Sequence, residues 1–372
     1  MELLIYLILF LLVLIVSSTT NKLLPFLPLP LVQILLGIVI GLFLPNTDFH
    51  LNTELFLALV IGPLLFRESE EADITAILKH WRIIVYLIFP VIFISTLSLG
   101  GLAHFLWLSL PLAACLAVGA ALGPTDLVAF ASLSERFSFP KRVSNILKGE
   151  GLLNDASGLV AFQVALTAWT TGAFSLGQAS SSLIFSILGG FLIGFLTAMT
   201  NRFLHSFLLS VRATDIASEL LLELSLPLVT FFLAEEVHVS GIIAVVVAGI
   251  LKASRFKKIT LLEAQVDTVT ETVWHTVNFM LNGSVFVILG MELEMIAEPI
   301  LTNPIYNPLL LLVSLIALTF VLFAIRFVMI YGYYAYRTRR LKKKLNKYMK
   351  DMLLLTFSGV KGTVSIATIL LI

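Results

Sequence analysis

Six charged residues interrupt stretches of this sequence that are otherwise apolar. They are the acids Asp126, Glu150 and Asp155 and the bases Lys148, Arg326 and Lys361. A charge inside a lipid bilayer costs roughly a few kcal/mol or more, so such residues are usually paired and functional. A carboxylate without a basic partner can bind a proton or a small cation. Ion or proton binding is therefore the chemistry that these residue types indicate, although Lys148, near the start of its helix, can also extend to the membrane surface.

The stretch GEGLLNDASG at residues 149–158 carries two of these acids close together. Glu150 and Asn154 are four residues apart and share one face of a helix, whereas Asp155 is turned by about 100° from Asn154. Arg326 can pair with either acid. If it pairs with Glu150, then Asp155 remains free to titrate. Spacing alone leaves the opposite assignment open.

Two apolar spans contain helix breakers beside a charge. In GAALGPTDLVAF, Pro124 removes a helical hydrogen bond shortly before Asp126, and in TFSGVKGTVSIA two glycines flank Lys361. Interrupted helices in the two halves of a membrane protein are typical of a transporter's central binding site. The partly positive N-terminus of a half-helix suits Asp126, and the partly negative C-terminus suits Lys361.

The elements that position these residues are membrane helices. Of the 372 residues, 59% are hydrophobic and 13% are charged, and the mean hydropathy is +1.02, which excludes an ordinary soluble protein. Because backbone groups must be hydrogen-bonded within lipid, we predict an all-α polytopic membrane protein. About twelve spans are predicted, at residues 1–20, 26–44, 53–66, 82–104, 111–134, 143–171, 180–201, 215–234, 240–251, 268–291, 305–336 and 351–372.

The basic residues indicate the orientation. About 21 of the 24 Lys and Arg residues lie in alternate connections, which predicts that these connections are cytoplasmic and that the N-terminus is outside the cell membrane. The dense patch at 337–350 is interpreted as an anchor to lipid headgroups, and no nucleic-acid partner is expected. The first span is interpreted as a retained helix. The single cysteine, Cys115, is expected to pack inertly.

Six motifs in chain order resemble the signatures of the cation:proton antiporter-1 family, the NhaP and NHE sodium/proton exchangers. The resemblance implies thirteen helices in a homodimer, with inverted repeats and a mobile core that holds two crossed, unwound helices. It assigns 1–80 and 172–303 to the dimerisation and linking side and 81–171 and 304–372 to the core. The motifs are GPTDLVAF at 123–130, GEGLLNDASGLV at 149–160, VSGIIAVVVAGI at 239–250, NGSVFVILGMEL at 282–293, AIRF at 324–327 and SGVKGTVSIA at 358–367.

The resemblance also implies roles for individual residues. Asp155 would be the carboxylate that carries the cation or the proton, with Asn154 as its neighbour. Thr125 and Asp126 would be ligands or dipole partners in the unwound segment, so that the monovalent metal cation would lie between Asp155 and Asp126. Glu150 would form a structural ion pair with Arg326.

Three further residues complete the expected set. Arg326 is the implied partner of Glu150, Lys361 the charge that compensates the helix crossing, and Glu68 an acid on the cytoplasmic approach. The family commonly has arginine where this chain has Lys361. Lysine keeps the positive charge but lacks the planar guanidinium group that can form two parallel hydrogen bonds. Gly151 stands where some relatives have a hydroxyl residue, so a backbone carbonyl or water would replace that ligand.

These features predict a secondary transporter and not an enzyme. A single carboxylate that holds either a proton or sodium, with lithium or potassium as alternatives, exchanges the two by competition, one for one and without a cofactor. A cation channel and an intramembrane aspartyl protease are the alternatives, but no selectivity filter and no YD or GxGD signature is found in the sequence. We also expect a thirteenth helix and further sequence beyond residue 372.

Overall fold

In a computed structural model the chain folds into helices, and every regular element among the described residues is helical. The structure describes residues 2–24, 26–43, 53–107, 110–125, 130, 138–171, 176–211, 215–253, 261–302, 308–340, 342 and 345–358.

The helices follow one another in this order: α1 (Glu2–Leu23), α2 (Leu29–Phe43), α3 (Thr53–Phe56), α4 (Gly62–Glu71), α5 (Ile74–Leu78), α6 (Trp81–Tyr86), α7 (Ile92–Leu106), α8 (Leu112–Ala121), α9 (Lys141–Thr171), α10 (Leu176–Ser210), α11 (Ile216–Glu236), α12 (Gly241–Ala253), α13 (Leu261–Thr302), α14 (Pro308–Arg340) and α15 (Met349–Phe357). The π-helical turns Leu57–Ile61 and Leu87–Val91 join α3 to α4 and α6 to α7. The second of these turns contains Pro90, which lacks the N–H that a regular helix needs. A 3₁₀ turn, Leu345–Tyr348, precedes α15.

Five helical stretches among the described residues are long and apolar enough to cross a membrane, judged by length and composition. Large apolar side chains are exposed along several of them, as lipid contact requires, and the predicted total of about twelve spans stays a prediction. The 31-residue helix α9 is not among the five. The stretches are Trp81–Leu106, Ile184–Ser210, Ile216–Glu236, Thr268–Met295 and Leu312–Arg340.

The chain divides into two compact units. The first comprises Met1–Ala72 and Ser180–Glu292, and the second comprises Asp73–Ala179 and Leu293–Ile369. The functional roles that the sequence assigns to such units remain predictions.

Helices of the first unit approach closely where glycine faces glycine. A Cβ atom on Gly37 of α2 would collide with the backbone of Val287, and a Cβ on Gly290 of α13 would collide with the backbone of Ile34. Small residues allow membrane helices to pack backbone to backbone, which compensates for the lack of a hydrophobic driving force in lipid.

The second unit packs α6, α9, α14 and α15 around one apolar cluster. Ile83, Leu87, Ile146, Ile330 and Leu355 are among its fully or nearly fully buried members. This core fixes the mutual positions of α9, α14 and α15, the helices that carry the polar residues described next.

Cys115 packs in a separate apolar cluster of the second unit, with Leu99, Ala103, Leu318 and Leu322. It is a free and buried thiol among apolar side chains, as the sequence predicts.

Candidate functional site

One face of α9 carries the polar residues of the second unit that are most deeply buried. Glu150, Asn154 and Gly158 recur every four residues, so they lie one above the other along the helix. Glu150 and Asn154 are both 0% exposed, and Gly158 is also buried. Buried polar groups of this kind are stable only when other elements supply hydrogen-bond partners.

Arg326 of α14 is the partner of Glu150. Its Nη1 and Nη2 atoms donate to Oε1 and Oε2 of Glu150, each at 2.7 Å, and its Nε donates to the carbonyl oxygen of Leu355 at 3.0 Å. Arg326 is only 2% exposed. The two parallel hydrogen bonds are the fork-to-fork geometry in which an arginine binds a carboxylate most strongly. Of the two assignments that spacing left open, the structure therefore has the one in which Arg326 binds Glu150.

The chain after α8 lies against the same face of α9. The helix ends at Ala121, before the Gly-Pro pair at which the sequence predicts a break. Asn154 donates from Nδ2 to Oγ1 of Thr125 at 2.8 Å, and Thr125 is buried. One turn further on, a Cβ atom on Gly158 would collide with the ring of Pro124, so glycine is required for this approach. Non-helical backbone thus lies along α9 at Asn154 and Gly158.

Three of the predicted site residues cannot be located in the same detail. Asp155 follows Asn154 on α9, but its side chain lies outside the described part of the structure, and Asp126 and Lys361 lie outside the described residues altogether. Their roles stay predictions. Lys148 is exposed on α9, which agrees with a side chain that extends to the membrane surface.

Glu68, the predicted acid of the cytoplasmic approach, lies half-buried on α4 in the first unit. Its neighbour Arg67 binds two other acids of the same helix, Glu70 at 2.9 Å and Glu71 at 2.7 Å. The end of α4 is therefore a charged surface on which Arg67 pairs with acids of its own helix, and the role of Glu68 stays a prediction.

A buried network next to α4 was missed by the sequence analysis. Lys252, in the last turn of α12, binds Oε2 of Glu223 at 2.7 Å and lies 3.8 Å from Oε1 of Glu70. Trp274 of α13 donates from Nε1 to Glu223 at 3.1 Å. Burial raises the pKa of Glu70, and the negative charge of Glu223 adds to that rise, while Lys252 and Arg67 oppose it.

A signal for this network is present in the sequence. Lys252 ends an apolar helix, where a lysine is usually exposed, yet its side chain is only 7% exposed. Charge-dense helix ends such as GPLLFRESEE, which contains Glu70, are the features that could have indicated a partner.

Sequence and structure comparisons identify the family. Residues 7–372 match the family model described as "Sodium/hydrogen exchanger, transmembrane". The chain belongs to this family. Antiporters for sodium, potassium, lithium and rubidium from Bacillus pumilus and Bacillus subtilis are both 35% identical to this chain, over 97% and 95% of its length. The uncharacterised exchanger YjcE of Escherichia coli is 30% identical over the whole chain and 69% of its own length.

The chain spans only part of the length of some of these relatives, and its fold matches a solved structure. The chain spans about half the length of the two Bacillus proteins, 54% and 53%. The structure of the sodium/proton antiporter MjNhaP1 from Methanocaldococcus jannaschii matches with a TM-score of 0.70 over 100% of this chain and 86% of that chain, at 20% identity. That likeness concerns the fold alone. The resemblance to the NhaP and NHE exchangers that the motifs predict is confirmed.

Proposed function

We propose that this exchanger-family member exchanges a monovalent cation for a proton across the cell membrane, and that Asp155 carries both ions in turn. The observation that carries the proposal is the buried polar face of α9, where Glu150 is bound by Arg326 and Asn154 by Thr125. The one charge among the described residues of that face, Glu150, is thus compensated. The next residue on the helix, Asp155, is then the carboxylate available for transport.

The proposed site combines Asp155 with groups of the interrupted segment. Thr125 and Asp126 follow Pro124, and either can supply oxygen atoms to a sodium, lithium or potassium ion. A carboxylate that binds a cation must release its proton, because one charge cannot hold both ions. Alternating access of the core then carries whichever ion is bound, with Lys361 compensating the helix crossing. The transporter would function as a homodimer in the lipid bilayer, with the N-terminus outside.

A transport assay with two matched variants tests the assignment. In proteoliposomes with a preset pH gradient, sodium, lithium or potassium should collapse the gradient in the wild type and not in Asp155→Asn, which removes the charge and keeps the shape. Asp73→Asn is the control, because Asp73 caps a short exposed helix and asparagine caps as well as aspartate. Exchange at the wild-type rate in a folded Asp155→Asn protein would refute the role of Asp155.

The same proposal predicts an electroneutral exchange of one cation for one proton. Asn154 is uncharged and Glu150 is neutralised by Arg326, so the loaded site carries the same charge with either ion. One pH unit stores about 1.36 kcal/mol per proton and can sustain at most about a tenfold sodium gradient. A voltage imposed at equal pH, with potassium shown not to be a substrate, should leave the sodium flux unchanged. Net uptake driven by voltage alone would contradict this stoichiometry.

A further inference from the structure

A basic cavity opens at one end of the second unit, away from the buried polar face of α9. It has a volume of about 840 Å³ and lies between the start of α6 and the end of α14. Four cationic side chains line it: Lys79, Arg82, Arg337 and Arg340. This volume is in the range of pockets that hold small-molecule ligands.

Among the described residues, none of the four cationic side chains of the cavity forms an ion pair with an acid. Asp73 interacts with Lys79 only weakly: its pKa is lowered chiefly by the hydrogen bond from Thr75, and the charge of Lys79 is the smallest of the causes. By contrast, Arg142 near the same end binds Asp351 at 3.4 Å.

His80, which lines the cavity and precedes α6, is affected by the positive charge around the cavity. Its pKa is lowered, first by burial and then by the positive charges of Arg142, Arg337 and Lys79. An anion in the cavity would relieve this repulsion.

The cavity lies where two apolar stretches end. The membrane-crossing stretch Trp81–Leu106 begins at the cavity, and the stretch Leu312–Arg340 ends there. Trp81, Tyr333 and Tyr336 also line it. Aromatic and basic side chains together are typical of the boundary between lipid tails and water, where phosphate groups of lipids lie.

We propose that this cavity binds a phosphate-bearing anion, either the headgroup of an anionic phospholipid or a soluble phosphate compound. Three guanidinium groups at its wall offer planar forks that match phosphate oxygens in pairs, and aromatic rings line other parts of the wall. The site is separate from the proposed ion site and does not depend on the proposed exchange activity.

The test compares two double variants that remove equal charge. Arg82→Gln with Arg337→Gln removes two guanidinium groups from the cavity. Arg339→Gln with Lys347→Gln removes two charges from exposed positions that do not line it. Thermal unfolding of the purified full chain in detergent is measured against increasing dihexanoyl-phosphatidylglycerol, sn-glycerol 1-phosphate or inorganic phosphate, with dihexanoyl-phosphatidylcholine as the zwitterionic reference.

Binding should raise the unfolding midpoint of the wild type and of the control variant alike. The cavity variant should need about 25-fold more of the probe, since each of the two basic residues near an anionic headgroup contributes about fivefold in affinity. Stabilisation by phosphatidylglycerol alone identifies a lipid, and stabilisation by the soluble phosphates identifies a soluble compound.

Two results would overturn the proposal: no stabilisation of the wild type by any anionic probe, or equal titrations for the cavity and control variants. If the double cavity variant does not fold, Arg340→Gln alone should weaken binding about fivefold in the same titration. An unchanged titration for a folded Arg340→Gln protein overturns the proposal as well.

Discussion

Replacing either member of the Glu150–Arg326 pair alone should strongly destabilise the protein. Replacing both should cost less than the sum of the two single losses. The structure gives two charge-assisted hydrogen bonds of 2.7 Å between fully buried groups. Each such bond contributes roughly 1.5–3 kcal/mol, and breaking a buried pair from one side costs roughly 3–5 kcal/mol, because the remaining charge is left without a partner. Glu150→Gln combined with Arg326→Gln leaves two neutral amides and should recover up to about 3 kcal/mol of the summed loss.

The two single variants should differ in the size of their loss. Arg326→Gln should lose about 1 kcal/mol more than Glu150→Gln, because the carbonyl oxygen of Leu355 also loses the hydrogen bond from Nε.

The assay is a double-mutant cycle on unfolding in detergent. The pair Arg142 and Asp351 is the matched control, since it is longer, 3.4 Å, and partly exposed. Its cycle should give a coupling of less than about 1 kcal/mol. Additive effects in the Glu150–Arg326 cycle would refute the reasoning.

Two further replacements test one contact in each unit. Gly158→Ala places a methyl group against Pro124 and should destabilise the protein. Gly332→Ala is the control: it lies in a helix with open space around it and should stabilise the protein by up to about 1 kcal/mol. Equal shifts of the melting temperature in the two variants would contradict the contact with Pro124. Lys252→Met removes the cation that opposes the raised pKa of Glu70 and leaves two acids facing each other. A folded protein that raises the pKa of an acid loses stability as the pH rises through that pKa. The variant should therefore melt further below the wild type at pH 8 than at pH 5. A pH-independent difference in melting temperature would contradict the prediction.

Sequence patterns predicted where helices cross apolar surroundings, but not where they end. The predicted spans 180–201 and 268–291 correspond to the much longer helices α10 (Leu176–Ser210) and α13 (Leu261–Thr302). Hydropathy marks the part of a helix that lipid surrounds, whereas the hydrogen-bonded backbone continues into polar ends. The end of α8 before Pro124 was predictable, because proline acts through the backbone itself.

Spacing identified which polar residues share a face, and packing decided their partners. The four-residue interval between Glu150 and Asn154 is fixed by the helix, so their common orientation follows from sequence. The choice of Arg326 depends on how α14 packs against α9, which no local pattern contains. The network of Lys252 and Glu223 was missed for the same reason, since its members lie on different helices.

The described contacts limit how charge can change when the proposed exchange takes place. Glu150 and Arg326 are neutral as a pair, and the amide of Asn154, which donates to Thr125, does not ionise. None of these groups can supply the charge that a bound cation requires, and none can release a proton when the cation arrives. If these groups keep their charges throughout transport, then a carboxylate beside them, which we propose to be Asp155, must balance both ions alone. One proton would then be exchanged for one cation, because no second group on this face of α9 titrates with it.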